Sequence, residues 1–126
     1  MYSTHCSAPG CEKWAFADEG FCLEHAGAGA IKRANQLLQS SDSIRDKNFS
    51  DAIFEELNLA DRHFYGCSFM RTTFRGTLFT GVVFRFCFFD RAILDSCDFS
   101  HIDAQFCSFG GATITNVSFE KTELLH

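Results

Sequence analysis

The chain has no apolar run that approaches the roughly 20 residues needed to cross a bilayer, and it contains a single proline in 126 residues. Its N-terminus lacks a basic stretch followed by an apolar one, so we expect no signal peptide. Seven cysteines without a secretion signal indicate a reducing compartment, where metal binding or core packing explains thiols better than disulfides do. These absences favour a cytoplasmic protein without a membrane segment.

Neither sign of charge dominates the chain, and signatures of catalysis are missing. The 11 basic residues stand against 16 acidic ones, and the formal net charge of −5 makes direct binding to nucleic acid unfavourable. The sequence has no phosphate-binding glycine loop, no nucleophile elbow, and no histidine placed beside a carboxylate at a telling spacing. It therefore predicts a protein that is not an enzyme.

Phenylalanine, in contrast, is abundant, and it recurs with a period of five. Sixteen central positions hold a large apolar residue or, once, an alanine, and eleven of them are phenylalanine. Two residues before each central position, a second register is mostly small (Ala, Cys, Thr or Val). A period of five fits neither an α-helix nor a single strand, so the repeat itself decides the fold. The central positions are Phe49, Phe54, Leu59, Phe64, Phe69, Phe74, Phe79, Phe84, Phe89, Leu94, Phe99, Ala104, Phe109, Ile114, Phe119 and Leu124.

This pattern over residues 47–126 resembles the pentapeptide-repeat family. The resemblance implies an all-β solenoid, a right-handed quadrilateral β-helix of about four coils in which residues 20 apart stack on one another. Such stacking buries the central rings in columns and pairs the backbone groups of neighbouring coils. Cys67, Cys87 and Cys107 share that spacing, and we interpret them as small apolar filler rather than as a metal or redox site.

Residues 1–26 are predicted to form a small zinc-binding segment. The ligands would be Cys6 and Cys11 on one turn and Cys22 and His25 on another, because two short-spaced pairs at the ends of a loop suit a tetrahedral structural Zn²⁺ site. The intervening apolar residues are too few to hold so short a segment without a staple. The segment also resembles small zinc fingers with a Cys-x4-Cys and Gly-x-Cys-x2-His pattern. His5 stays open as an alternative to His25.

Residues 27–46 are predicted to form one amphipathic capping helix and a linker. We expect the regular repeat to begin near Lys47, because Asp42 breaks the small register. Leu57 and Arg62 break it again, which predicts a distorted first coil beneath the helix. The apolar stripe of the helix, about 120° wide, comprises Ala30, Ile31, Ala34, Leu37 and Leu38.

Aromatic residues at outward positions are the candidates for a contact surface. Phe86 and Phe106 are 20 positions apart and should stack on one exposed edge, with Phe88 close by. A clustered aromatic patch indicates either a contact with a partner or cover by the N-terminal segment, and both remain open. The last coil, ending near Leu124, needs cover as well, so a homodimer would form through the C-terminal coil or through the aromatic edge.

The function predicted from these features is a non-enzymatic protein–protein interaction or scaffold module built on a rigid rod. The alternative follows from the family resemblance, because some members imitate DNA and bind the topoisomerase gyrase in quinolone resistance. That mimicry needs a continuous acidic face, which Arg71, Arg75, Arg85 and Arg91 interrupt. The sequence does not name the protein partner.

Overall fold

The computed structural model describes residues 4–125; residues 1–3 and 126, at the outer ends of the predicted first and last segments, lie outside the described residues. Within that range, two helices precede nine short strands. Neither helix is long and apolar enough to cross a membrane. The helices are α1 (Leu23–Ala26) and α2 (Ala30–Ser40), and the strands are β1 (Ser43–Arg45), β2 (Ile53–Glu55), β3 (His63–Tyr65), β4 (Thr73–Arg75), β5 (Val83–Arg85), β6 (Ile93–Asp95), β7 (Asp103–Gln105), β8 (Thr113–Thr115) and β9 (Glu123–Leu125).

The strands stack into a four-sided solenoid. One parallel sheet has the order β1-β3-β5-β7-β9, and a second has the order β2-β4-β6-β8. Each residue pairs with the residue 20 positions later, as Phe64 does with Phe84. Single parallel bridges at the same spacing, such as Asn48 to Ser68, form the other two sides. The predicted quadrilateral β-helix of about four coils is therefore confirmed.

The interior consists of stacked phenylalanine columns. Phe69 and Phe89 stack with ring centroids 5.0 Å apart, and Phe89 and Phe109 stack at 4.9 Å. Neighbouring columns meet edge to face, as Phe84 and Phe89 do at 5.0 Å and 90°. Both geometries are favoured between aromatic rings. Because the rings of the first three coils are fully buried, each contributes about 1.5–3 kcal/mol.

Residues of the small register also satisfy backbone groups of the neighbouring coil. The Thr72 hydroxyl donates to the Phe49 carbonyl at 2.8 Å, and the Cys87 thiol donates to the Phe64 carbonyl at 3.4 Å. Although contact with Cys107 favours the thiolate, the neighbouring Cys67 and burial raise the pKa of Cys87 to about 12. A protonated, buried thiol is unreactive, which agrees with the interpretation of this cysteine as filler.

The first coil differs from what its sequence suggests. The repeat begins at Ser43 rather than near Lys47, because Ile44 fills a buried central position. The Asp42 side chain is exposed, and the residue contributes to the coil through its backbone carbonyl, which accepts the His63 N–H at 2.9 Å. The first coil is also regular rather than distorted, since its strands pair with the second coil at the same spacing of 20 as the others.

Arg62 occupies a small-register position because it reaches the end of the capping helix. Its guanidinium donates to the Gln39 carbonyl at 2.6 Å and to the Ala60 carbonyl at 3.3 Å. A cation at a helix C-terminus satisfies carbonyls that have no partner within the helix and complements the helix dipole. The residue that broke the sequence pattern therefore connects α2 to the first coil.

The N-terminal segment and α2 together cover the open end of the first coil. Phe16, Ala34 and Leu38 are buried in the same cluster as the rings of the solenoid. The Ala17 N–H donates to the Asn48 carbonyl at 2.8 Å, so the segment also pairs its backbone with the coil. The segment is thus part of the folded core rather than a loose appendage.

Candidate metal centre and contact surfaces

The four predicted metal ligands come together in the structure. Cys6 and Cys11 lie on a turn closed by a hydrogen bond from the Cys11 N–H to the Ala8 carbonyl at 3.1 Å. Cys22 precedes α1, and His25 lies within it. The three sulfurs and one imidazole nitrogen all lie within 4.8 Å of one another. They could hold one metal ion with four protein ligands, and such closed sites are structural rather than catalytic.

The surroundings of the cluster favour a thiolate at Cys6. Burial opposes its ionisation, but hydrogen bonds from the backbone of Cys22 and Ala8 and contact with His25 outweigh burial and lower the pKa of Cys6 to about 6. The Lys13 backbone also favours the thiolate of Cys11, yet desolvation and the neighbouring thiols raise the pKa of Cys11. A metal cation bound between the sulfurs would offset the mutual repulsion of the thiolates.

His5 lies outside the metal cluster. Its ring stacks on Trp14 with centroids 4.0 Å apart, and the two residues form an antiparallel bridge. His25 instead places Nδ1 3.4 Å from both Cys6 Sγ and Cys22 Sγ. Of the two alternatives left open by the sequence, the structure therefore favours His25.

Ion pairs hold the metal-binding segment against the rest of the chain. The Arg33 guanidinium of α2 donates to both carboxylate oxygens of Glu19, at 2.9 and 2.8 Å. Lys47 contacts Asp18 at 2.5 Å at the base of the first coil. These contacts, together with buried Phe16, give the segment a defined orientation on the rod.

Phe86 and Phe106 form the exposed aromatic edge that their spacing predicted. Their rings stack with centroids 4.9 Å apart and an interplanar angle of 8°, and the residues are 57% and 52% exposed. Both residues have positive φ, 54° and 57°. This conformation costs an ordinary residue roughly 1–2 kcal/mol, and the preceding coil places Gly66 at the equivalent corner. Other corners of the rod adopt the same conformation with non-glycine residues, such as Arg71 and Arg91, so what sets Phe86 and Phe106 apart is the exposure of two stacked rings.

Phe88 is not part of that edge. Among the described residues it makes no ring contact with Phe86 or Phe106, and it lies half-buried in a groove between the metal-binding segment and the solenoid. We call this the module–rod groove; it has a volume of about 980 Å³. The residues that line it include Trp14, Leu23, Met70, Phe88 and Asp90.

The groove itself was not anticipated from the sequence. The 20-residue spacing places Ser68, Phe88 and Ser108 on one side of the rod, but it does not reveal that Trp14 and Leu23 lie across that side. The signal that could have suggested it is the pairing of an exposed tryptophan in a short metal-binding segment with an aromatic residue at an outward repeat position.

The predicted cysteine ladder is present, and all seven cysteines are free thiols. Cys67 and Cys87 are buried, and Cys107 is partly exposed in the last coil. Ile102 and Ala104 are both buried, so the small residue at one central position is accompanied by a large residue two positions earlier.

Comparison with known protein families agrees with this architecture. A family model described as pentapeptide repeats matches residues 48–85 with eight copies. Residues 48–85 therefore carry pentapeptide repeats, and the resemblance of the sequence is confirmed. No curated protein sequence matches the chain. The fold of this family suggests a role in protein interaction or as a scaffold.

Proposed function

We propose that the chain is a non-enzymatic protein–protein interaction module that presents fixed surfaces on a rigid rod. The observation that carries the proposal is the parallel stack of Phe86 and Phe106, two rings more than half exposed on one edge. Clustered exposed aromatics are characteristic of contact sites, whereas scattered apolar residues are not.

Co-purification from the native host tests this function. The wild-type chain should retain a defined partner that a Phe86→Ser and Phe106→Ser double variant loses. A matched control is the double variant Ile53→Ser and Ile93→Ser, which removes two exposed apolar residues from another side of the rod. Loss of the partner from both variants would indicate nonspecific adhesion, and retention by both would remove the aromatic edge as the contact.

We also propose a homodimer through the C-terminal coil. Phe109 and Phe119 are only half-buried there, and Ile114 is 44% exposed, although their counterparts one coil earlier are fully buried. A second copy could cover this end and pair its backbone groups, as each coil does for its neighbour. Light scattering should give the mass of a dimer for the wild type and of a monomer for Ile114→Glu. A dimer that dissociates only in the Phe86 and Phe106 variant would place self-association at the aromatic edge instead.

Zn²⁺ is the metal we propose for Cys6, Cys11, Cys22 and His25. Three thiolates and one imidazole form a donor set that zinc favours. A tetrahedral ion with Zn–S near 2.3 Å and Zn–N near 2.0 Å sets nitrogen and sulfur about 3.5 Å apart, close to the 3.4 Å between His25 Nδ1 and two of the sulfurs. Protein never exposed to chelator should contain about one zinc per chain by elemental analysis; a content near zero would contradict this assignment.

Imitation of DNA is the alternative function, and the charges of the rod do not favour it. Arg71 pairs with Asp51 at 2.7 Å, and Arg85 pairs with Asp103 at 2.8 Å, so cations neutralise carboxylates along the coils. We therefore expect no effect on DNA supercoiling by gyrase in an assay with and without the protein. The free thiols favour a reducing compartment such as the cytoplasm, and the net charge of −5 disfavours direct binding to nucleic acid.

A further inference from the structure

The module–rod groove is built jointly by the two parts of the chain. Trp14 and Leu23 come from the metal-binding segment, whereas Met70 and Phe88 come from the second and third coils. Trp14 is 38% exposed, and the other three side chains are half-buried. Ligand sites commonly have volumes of about 300–1,000 Å³ and largely apolar walls, and this groove lies at the upper end of that range.

Polar groups on the floor of the groove already contact one another. The hydroxyls of Ser50 and Ser68 are hydrogen-bonded at 2.7 Å, and Asn48 accepts the Ser50 N–H at 3.1 Å. Ser68 is 2% exposed. A ligand rich in polar groups, such as a nucleotide, would find few unused donors there. The walls instead favour an apolar side chain.

The charges around the groove are unequal. Lys13 pairs with Glu24 at 3.4 Å, and Arg71 pairs with Asp51 at 2.7 Å. Asp90 accepts a hydrogen bond from the Ser108 hydroxyl, but no cation of the described residues lies within ion-pair distance of it. One carboxylate therefore lies beside Phe88 without a positive partner. A cationic side chain would gain from the carboxylate and, near an aromatic face, from the ring as well.

We propose that the module–rod groove binds a peptide segment of a partner protein, with an apolar side chain against Met70 and Phe88 and a lysine or arginine against Asp90. This proposal rests on the interaction function proposed above, and it names the partner chemistry at a second surface. Because Trp14 and Leu23 supply one wall, binding requires the metal-binding segment to be folded. Charge complementarity of this kind determines which partners are accepted.

A displayed library of random dodecapeptides, selected against the full metal-loaded chain, tests the proposal. The selected peptides should combine an aliphatic or aromatic residue with a nearby lysine or arginine. Trp14 is the single tryptophan of the chain, so its fluorescence reports directly on whether a synthetic peptide from the selection occupies the groove. The affinity should fall as salt is added, because the contact with Asp90 is electrostatic.

Matched carboxylate variants give the decisive comparison. Asp90→Asn should weaken binding of the selected peptide about tenfold without changing the thermal midpoint. Asp95→Asn is the control, because Asp95 also accepts a hydroxyl hydrogen bond, from Ser96 at 3.0 Å, but it lies outside the groove. Deleting residues 1–3 should leave the affinity unchanged.

Several results would overturn the proposal. These are selected peptides without a basic residue, binding that Asp90→Asn does not weaken, and a selection without any binder that changes Trp14 fluorescence. Stronger binding after deletion of residues 1–3 would make the chain's own N-terminus the occupant, and a dimer dissociated by Asp90→Asn would make it a second copy. The interaction function proposed above would still hold after any of these results, provided that a partner co-purifies with the wild type and is lost only from the Phe86 and Phe106 double variant. Failure to co-purify any partner would contradict that function itself.

Discussion

The ring of Phe16 meets the ring of Phe49 edge to face, with centroids 6.3 Å apart and an interplanar angle of 88°. Both side chains are fully buried. One belongs to the metal-binding segment and the other to the first coil, so the two parts of the chain share one core. If the segment binds the proposed metal, that binding is thereby coupled to the stability of the solenoid.

Phe16→Ala should destabilise the whole chain by about 3–5 kcal/mol, because it opens a cavity between the segment and the first coil. Urea unfolding followed by Trp14 fluorescence and by circular dichroism should show a single transition for the wild type, shifted to lower urea in the variant. Phe21→Ala is the control, since Phe21 is 40% exposed in the same segment, and it should cost less than about 1 kcal/mol. Equal losses from both variants would contradict the shared core.

Removal of the metal should lower the thermal midpoint of the solenoid and not only alter the N-terminal segment. A chelator withdraws the binding free energy that holds Cys6, Cys11, Cys22 and His25 together. The loss of about 1 kcal/mol would lower the midpoint by roughly 4 °C in a chain of 126 residues. Circular dichroism of chelated protein, with metal loss verified by elemental analysis, measures the shift. An unchanged midpoint would mean that the segment folds without metal.

Two phenylalanines two positions apart should respond very differently to truncation. Phe84 is fully buried in a middle coil, whereas Phe86 is 57% exposed. Phe84→Ala should cost about 3–5 kcal/mol, because its cavity interrupts a stacked column. Phe86→Ala should cost no more than about 1.5 kcal/mol, the value of its stack on Phe106. Free energies of unfolding from urea titrations test the contrast, and similar costs would contradict the assignment of inward and outward positions.

Asp98 should give the rod a small stability that depends on pH. The Ser100 hydroxyl and N–H donate to its carboxylate, at 2.5 and 2.9 Å, and lower the pKa of Asp98. A carboxyl with a lowered pKa in the folded state stabilises the protein above its unfolded pKa of about 3.9, and the gain is lost as the pH falls through the folded pKa. Asp98→Asn should therefore be less stable than the wild type at pH 7, by no more than about 1 kcal/mol because water screens the site.

The same difference should vanish as the pH falls below the lowered folded pKa of Asp98, where the wild-type carboxyl is protonated and resembles the amide. Urea midpoints of the two proteins from pH 7 downwards measure it. A difference that stayed constant with pH would mean that the charge of Asp98 contributes nothing and that only its hydrogen-bond geometry matters.

The fold could be predicted from the sequence because the contacts that define it recur at one fixed separation along the chain. Phe84, for example, pairs with the residues 20 positions before and after it, and the same relation holds for the other positions of the coil. The cluster of candidate metal ligands could also be predicted, since the spacings of Cys6, Cys11, Cys22 and His25 suit a tetrahedral site. The side chain of Asp42 does not indicate where the repeat begins, because the residue contacts the next coil through its backbone carbonyl.

What the sequence by itself determined is therefore the rod, its inward and outward positions, and the cluster of candidate metal ligands. The tertiary structure alone decided where the N-terminal segment lies. Contacts such as Phe16 with Phe49 and Arg62 with the end of α2 join residues that no common period relates. The module–rod groove needs Trp14 opposite Phe88, and for that reason the sequence of neither segment predicts it. In a repeat, the residues that contact one another are separated by one fixed number of positions along the sequence. Residues that meet across an interface between unlike segments have no such fixed separation, so the sequence pattern does not predict their contact.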